Sequence, residues 1–179
     1  LRATLPIFEA SATGLVSGGN TGRVTIPISG SLLTEKTLAT LVSSTTTIPA
    51  VAMFFQDASR VYATFDLAGK PVGSYDIRLD DGGRSTTLAG GFSVVPGLAG
   101  TTQVTLGVAN EVRAGGLGSV TVRYVNTSNV DALAPLIAVS ADHALFYLPD
   151  SEALKVSTIT ILGIAPDGPA GVLRPGASG

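Results

Sequence analysis

The chain has 179 residues, 45% apolar but only 6% aromatic and 13% charged, with a formal net charge of −2 and no cysteine. It has no Lys/Arg-rich run to match a phosphate backbone, so nucleic acid is not expected as a partner; the missing cysteine removes disulfides, thiolate metal sites and cysteine nucleophiles together. The longest apolar stretch, ALAPLIAVSADHALFYL, is cut by Pro135 and by Asp142-His143 short of the roughly 20 residues a membrane helix needs, so membrane insertion is not expected.

The remaining composition is rich in Gly, Ser, Thr, Ala and Pro, a vocabulary of strands and turns. The opening LRATLPIF has neither an initiator Met nor a signal pattern, which suggests a piece of a longer or processed polypeptide. In GRVTIPIS, Val24, Ile26 and Ile28 share one face and Arg23, Thr25 and Pro27 the other, the period of a half-buried strand. Pro27 cannot donate to a ladder, which predicts an edge or bulged strand there. SLLTEKTLATLVS, residues 31–43, has a partly helical pattern, but its threonines weaken a helix and leave a strand or a short helical turn.

RVYATFDL places Val61, Ala63, Phe65 and Leu67 on one face, with Tyr62, Thr64 and Asp66 opposite; SYDIRL places Tyr75, Ile77 and Leu79 against Asp76 and Arg78. Asp80-Asp81-Gly82-Gly83 follows and reads as a hairpin turn, since Asp tolerates turn conformations and Gly supplies positive φ. Gly90-Gly91 reads as a bulge before Phe92 and Val94. At VVPGLAG the composition turns to Pro, Gly and Ala, the expected boundary between two domains of residues 1–97 and 101–179. Alternation resumes with Val104, Leu106 and Val108, then Val120, Val122 and Tyr124, and further short strands follow without amphipathic helices. The expected fold is all-β: two immunoglobulin-like β-sandwich domains in tandem.

Residues 14–97 resemble an IPT/TIG-type immunoglobulin-like module of large bacterial surface proteins, through GNTGRVTIPISGSLLT and RVYATFDLAGKPVGSYDIRLDDGGRSTTLAGGFSVV. Residues 101–179 resemble the CARDB-like or NEW3-like sandwiches of similar proteins, through VRAGGLGSVTVRYVNTSNVDALAP and GVLRPGASG. The resemblance implies an extracellular or cell-surface setting and brings no active site with it. It also implies a last strand after the L-x-P-G-x-S turn, where this sequence stops at Ser178-Gly179, so the second sandwich is expected to lack that strand. Truncation or processing is favoured over a strand supplied by another subunit.

Several residues are of types that could carry chemistry. Any Ser-His-Asp arrangement would have to use His143, the only histidine, yet no G-x-S-x-G elbow presents a serine and Asp142 alternates to the opposite side of a strand. A loop or strand-end histidine is the plainer reading, and no catalytic residue is assigned. Asp80, Asp81, Asp131 and Asp142, with Asp150 and Asp167, fall at expected strand ends, where calcium could gather carboxylates; the spacing matches no calcium loop. Tyr62 and Tyr147 are the candidate stacking platforms for a glycan in a chain without Trp. Lys36, Lys70 or Lys155 with Asn20, Asn110, Asn126 or Asn129 are the pairs available for an isopeptide crosslink, and Asn126-Thr127-Ser128 matches a glycosylation acceptor that a turn explains equally well.

Together these residues predict a non-enzymatic structural or adhesive spacer without a cofactor in a secreted or surface-anchored bacterial protein. Its expected partners are neighbouring modules, other subunits, or a surface glycan or protein. A glycan- or calcium-binding accessory module of an extracellular enzyme, and a strand-donating filament subunit, are the alternatives.

Overall fold

The computed structural model describes residues 5–108, 115–147 and 155–179, and among these every regular element is a β-strand. Nine strands build the N-terminal part: β1 (Glu9–Thr13), β2 (Ser17–Gly19), β3 (Arg23–Ser31), β4 (Leu38–Val42), β5 (Thr47–Pro49), β6 (Ala52–Asp57), β7 (Arg60–Asp66), β8 (Gly73–Asp81) and β9 (Arg84–Val95). They form a four-stranded sheet in the order β1-β3-β7-β6 and a five-stranded sheet in the order β2-β9-β8-β4-β5. The pairings are antiparallel except β2 with β9, which run parallel.

The alternation in the sequence becomes the packing between the two sheets. Val24, Ile26 and Ile28 of β3 and Val61, Ala63 and Phe65 of β7 meet Leu41, Ile77, Leu79 and Phe92 from the other sheet in one core, each no more than 1% exposed. Burying an aliphatic or aromatic side chain fully contributes about 1.5–3 kcal/mol, so this core is the main support of the N-terminal sandwich. The segment that hesitated between strand and helical turn is strand over Leu38–Val42.

The hairpin turn is present. Asp81 pairs with Arg84 across Gly82 and Gly83, and Gly82 has φ 59°. The bulge is present as well: Tyr75 opposes Phe92 while Ile77 opposes Leu88, so Asp76 faces three residues. Gly90, with φ 59°, gives its amide to Asp76 Oδ1 at 2.7 Å.

Pro27 corrects the expectation of an edge strand, although the β1-β3 ladder does shift register nearby, between Ala10 and Ala12. Its strand is interior, between β1 and β7, and the register with β7 runs unbroken through Pro27 opposite Tyr62. The neighbouring residues of the same parity explain why. Thr25 sends its amide away from β7, and Gly14, one residue past the end of β1, donates to the Pro27 carbonyl at 2.8 Å. The ring nitrogen of Pro27 therefore faces the side where β1 has already ended, and no ladder bond is lost.

The C-terminal part contains β10 (Thr102–Val108), β11 (Val120–Asn126), β12 (Ala132–Leu133), β13 (Leu136–Ser140), β14 (Thr158–Leu162) and β15 (Val172–Leu173). They pair as three antiparallel ladders, β10-β11, β12-β15 and β13-β14. Ala177–Gly179 runs along β11. Tyr124 and Gly179 exchange both backbone bonds, at 2.9 and 3.0 Å, and Val125 bridges Ser178. Among the described residues no helix is long and apolar enough to cross a membrane.

Candidate functional site: the junction of the N- and C-terminal parts

The outward face of β3 and β7 is where the C-terminal part lands. Alternation assigns Thr25 and Tyr62 to that face, and they do point outward, yet they are 0% and 1% exposed because later residues cover them.

The turn after β11 supplies the first contact. Its letters, Asn126-Thr127-Ser128-Asn129-Val130-Asp131, are the residue types that bond their own backbone in turns. Buried Asn126 donates through Nδ2 to the carbonyls of Val130 and Leu173, both at 2.8 Å, while its Oδ1 accepts from Ser128 N at 3.0 Å and Ser128 Oγ at 2.7 Å. This satisfied amide holds the turn in shape. A glycan on the same Nδ2 would replace one of its two hydrogens and so remove one of these two bonds.

Held this way, Asp131 reaches the N-terminal sandwich. Its Oδ1 accepts from Thr25 N at 3.0 Å and its Oδ2 from Thr25 Oγ1 at 2.6 Å; Thr64 Oγ1 lies 2.8 Å from the same hydroxyl. The Asp131 amide in turn donates to the Arg23 carbonyl at 2.8 Å. Asp131 thus takes the place of a neighbouring strand beyond the end of β1. Burial pushes its carboxyl above the ordinary aspartate range, against the opposing pull of the two Thr25 bonds.

Asn129 ties the connection between the two parts. Its carbonyl accepts from Gly19 N at 2.7 Å, its Oδ1 accepts from Leu98 N at 2.7 Å, and its Nδ2 donates to the Pro96 carbonyl at 2.9 Å. Asn20 Oδ1 takes the Gly97 amide at 3.1 Å. A Cβ on Gly19 would overlap the Asn129 side-chain amide, so a glycine is required for this approach. The Pro-Gly-Leu-Ala-Gly connection is consequently fastened on both sides.

The third contact is a stack on Tyr62. The Arg174 guanidinium lies 4.9 Å from the ring centroid and bonds Asp167 Oδ1 at 2.6 Å; Asp167 Oδ2 accepts from Tyr62 Oη at 2.7 Å. The single hydroxyl proton goes to the carboxylate, and the Gln56 side-chain amide group lies 3.0 Å away. Phe54 meets the ring edge-on at 5.9 Å. The Tyr62 bond, then Arg174, hold the Asp167 carboxyl below the ordinary range, while burial and Asp167 push the Tyr62 phenol up. Beside the stack a cavity of about 280 Å³ is lined by Leu15, Pro27, Arg60, Asp167, Arg174 and Gly176.

Most candidates from the sequence are used differently from the way their types suggested. Tyr62, considered as a glycan platform, already carries Arg174 on its ring and is 1% exposed. Asp131, considered for calcium, holds Thr25. Asp80 and Asp81 each face an arginine of their own hairpin: Arg78 Nη2 is 2.9 Å from Asp80, Arg84 pairs with Asp81, and Thr34 Oγ1 donates to Asp81 at 3.2 Å. Asp142 and His143 are exposed in the bend after β13, and half-buried Tyr147 lines a groove with Val120, Phe146 and Ile159. Among the described residues no three His, Asp or Glu side chains converge as a metal site. Asp150 and Asn110 lie outside the described residues.

Sequence reasoning missed Thr25 and Arg174. Nothing local marks Thr25, an ordinary outward threonine; Arg174, within the quoted GVLRPGASG, was visible only as an arginine in a turn. Compared with known proteins, the chain matches no family model, no curated protein and no solved structure.

Proposed function

We propose that this chain is a non-catalytic spacer of a secreted or surface-anchored bacterial protein, its two immunoglobulin-like modules held at a fixed angle. The observation that carries the reading is the junction. Three separate attachments, at Thr25, at Gly19 with Pro96 and Leu98, and at Tyr62, join segments far apart in sequence. A hinge between free domains needs the opposite, a mobile linker and few crossing bonds. The polar residues here turn to one another, and that is how a junction transmits force or sets a spacing without a ligand. Low charge, absence of cysteine and the resemblance to surface-protein modules support the setting.

The test is a distance measurement. With no native cysteine, one engineered at Ser85 and another at Thr160 label uniquely, and pulsed electron spin resonance reads the separation. One narrow distribution is expected, broadened by Arg174→Ala. A broad distribution in the parent chain would sink the rigid-spacer reading.

A further inference from the structure

The chain enters and leaves the N-terminal part on neighbouring strands. β2, near its start, lies at the edge of its sheet beside β9, its last strand, and the two run parallel, with Ser17 beside Ser93, Gly18 beside Val94 and Gly19 beside Val95. Backbone bonds continue past both ends of this ladder, from Ser93 N to the Val16 carbonyl and from Asn20 N to the Val95 carbonyl, each at 2.9 Å. Gly18 lies so close to Val24 and Phe92 that a Cβ there would overlap both side chains, so β2 is pressed onto the core as well as bonded to β9.

The parallel direction decides how tension reaches these bonds. The chain enters β2 at the Ser17 end and leaves β9 at the Val95 end, and these are opposite ends of the shared ladder. A pull on the two therefore slides one strand along the other and loads every bond between them at once. In an antiparallel hairpin both free ends lie together, and the bonds open one after another.

A residue of the C-terminal part spans the exit end of this ladder. Asn129 takes the Gly19 amide of β2 on its carbonyl, and its side chain holds the Leu98 amide and the Pro96 carbonyl just beyond β9. β2 cannot slide along β9 while Asn129 grips both. Asn129 is itself placed by the turn that Asn126 shapes and Asp131 fastens to Thr25.

We propose that β2 and β9 form a clamp that resists tension along the chain, with Asn129 as its latch, through which the C-terminal part strengthens the N-terminal part against force. Resting on the spacer reading for the origin of the load, the clamp is nonetheless a property separate from the angle between the parts, so each can fail alone.

Optical tweezers test the clamp on the full chain, which has no native cysteine to compete for the handles. With handles at Val16→Cys and Leu98→Cys, both exposed positions, the pull shears the ladder. With handles at Thr21→Cys and Leu98→Cys, both beyond the Gly19 and Val95 end, the pull peels it. Shear is expected to need a several-fold higher force than peeling, and the length released identifies the N-terminal part as the unit that opens. In the shear geometry Asn129→Ala, which removes two side-chain bonds, is expected to shorten the lifetime at constant load roughly tenfold. Arg174→Ala, at a residue whose bonds go to Asp167 and whose stack is on Tyr62, is expected to leave that lifetime at the parent value. Equal forces in the two directions would overturn the clamp. An Asn129→Ala lifetime equal to the parent's, or an equal loss in Arg174→Ala, would overturn the latch. A high shear force in a chain whose spin-label distances are broad would support the clamp and sink only the fixed angle.

Discussion

Thr25 gives both of its hydrogen-bond donors to one carboxylate, its amide to Asp131 Oδ1 at 3.0 Å and its hydroxyl to Asp131 Oδ2 at 2.6 Å, across 106 positions of chain. Thr25 sits in the middle of a sheet, where an amide normally finds a carbonyl on the next strand. With β1 ended before this point, the aspartate completes the sheet from outside, and the same two bonds attach the C-terminal part. One pair of residues therefore serves the fold of one part and the placement of the other.

Removing the carboxylate separates these roles. Asp131→Ala removes the acceptor of the fully buried Thr25 amide, while the Thr25 hydroxyl keeps Thr64 Oγ1 as a partner, a loss of about 1–3 kcal/mol for such a buried group. Asp131→Asn is expected to cost much less at neutral pH, because its Oδ1 still accepts the amide and its Nδ2 can donate to Thr25 Oγ1, which then turns its proton to Thr64. Urea unfolding of the two variants checks this, and equal losses would show that the charge rather than the geometry matters.

Arg174→Lys is predicted to be disruptive although it keeps the charge. Guanidinium is flat, covers the Tyr62 ring and forks to Asp167, whereas an ammonium is a strongly hydrated point charge. The stacked contact contributes about 0.5–2 kcal/mol. The chain has no tryptophan to mask tyrosine emission, and Tyr75, Tyr124 and Tyr147 are common to both proteins, so a difference in iodide quenching between variant and parent reads the exposure of Tyr62. Quenching is expected to rise in Arg174→Lys and to stay at the parent level in Asp80→Asn.

At the hairpin the backbone outweighs the charges. Gly82 holds φ 59°, so Gly82→Val is expected to cost about 1–2 kcal/mol through the left-handed backbone. Asp80 and Arg78 are 38% and 53% exposed, and pairs of that kind contribute about 0–1 kcal/mol, so Asp80→Asn is expected to leave the melting temperature nearly unchanged. Calorimetry with and without millimolar calcium extends the comparison. A calcium-dependent rise in the parent that Asp80→Asn abolishes would contradict the turn assignment.

The strands of the N-terminal sandwich were legible because a two-residue period leaves a mark at every position from Val24 to Ile28 and from Val61 to Phe65. The hairpin and bulge were legible because Gly82 and Gly90 adopt conformations that few other residues tolerate. The junction left no such mark. A threonine that faces Asp131 has the same place in an alternating pattern as one that faces water, and the partners of Tyr62 lie 105 and 112 positions away. Pro27 misled for a related reason: a missing donor predicts an edge only where a neighbouring strand is present to require one, and here that neighbour stops at Thr13.

Two substitutions of the same kind at the junction should have opposite pH slopes. The Asp167 carboxyl is held below its unfolded value, near 3.9, by Tyr62 and Arg174, so its contribution is full above about pH 4 and fades as pH falls through the lower folded value. The Asp131 carboxyl is raised by burial, so its contribution is full below about pH 4 and is lost as pH rises through the higher folded value. Asparagine titrates at neither site. From pH 3 to pH 7, Asp167→Asn should therefore fall progressively further behind the parent in stability, while Asp131→Asn should improve relative to it. Urea midpoints of all three proteins across that range read the difference directly, with the remaining carboxylates common to each comparison. If both variants moved in the same direction, burial would not be the dominant influence on Asp131, and the two Thr25 bonds would outweigh it.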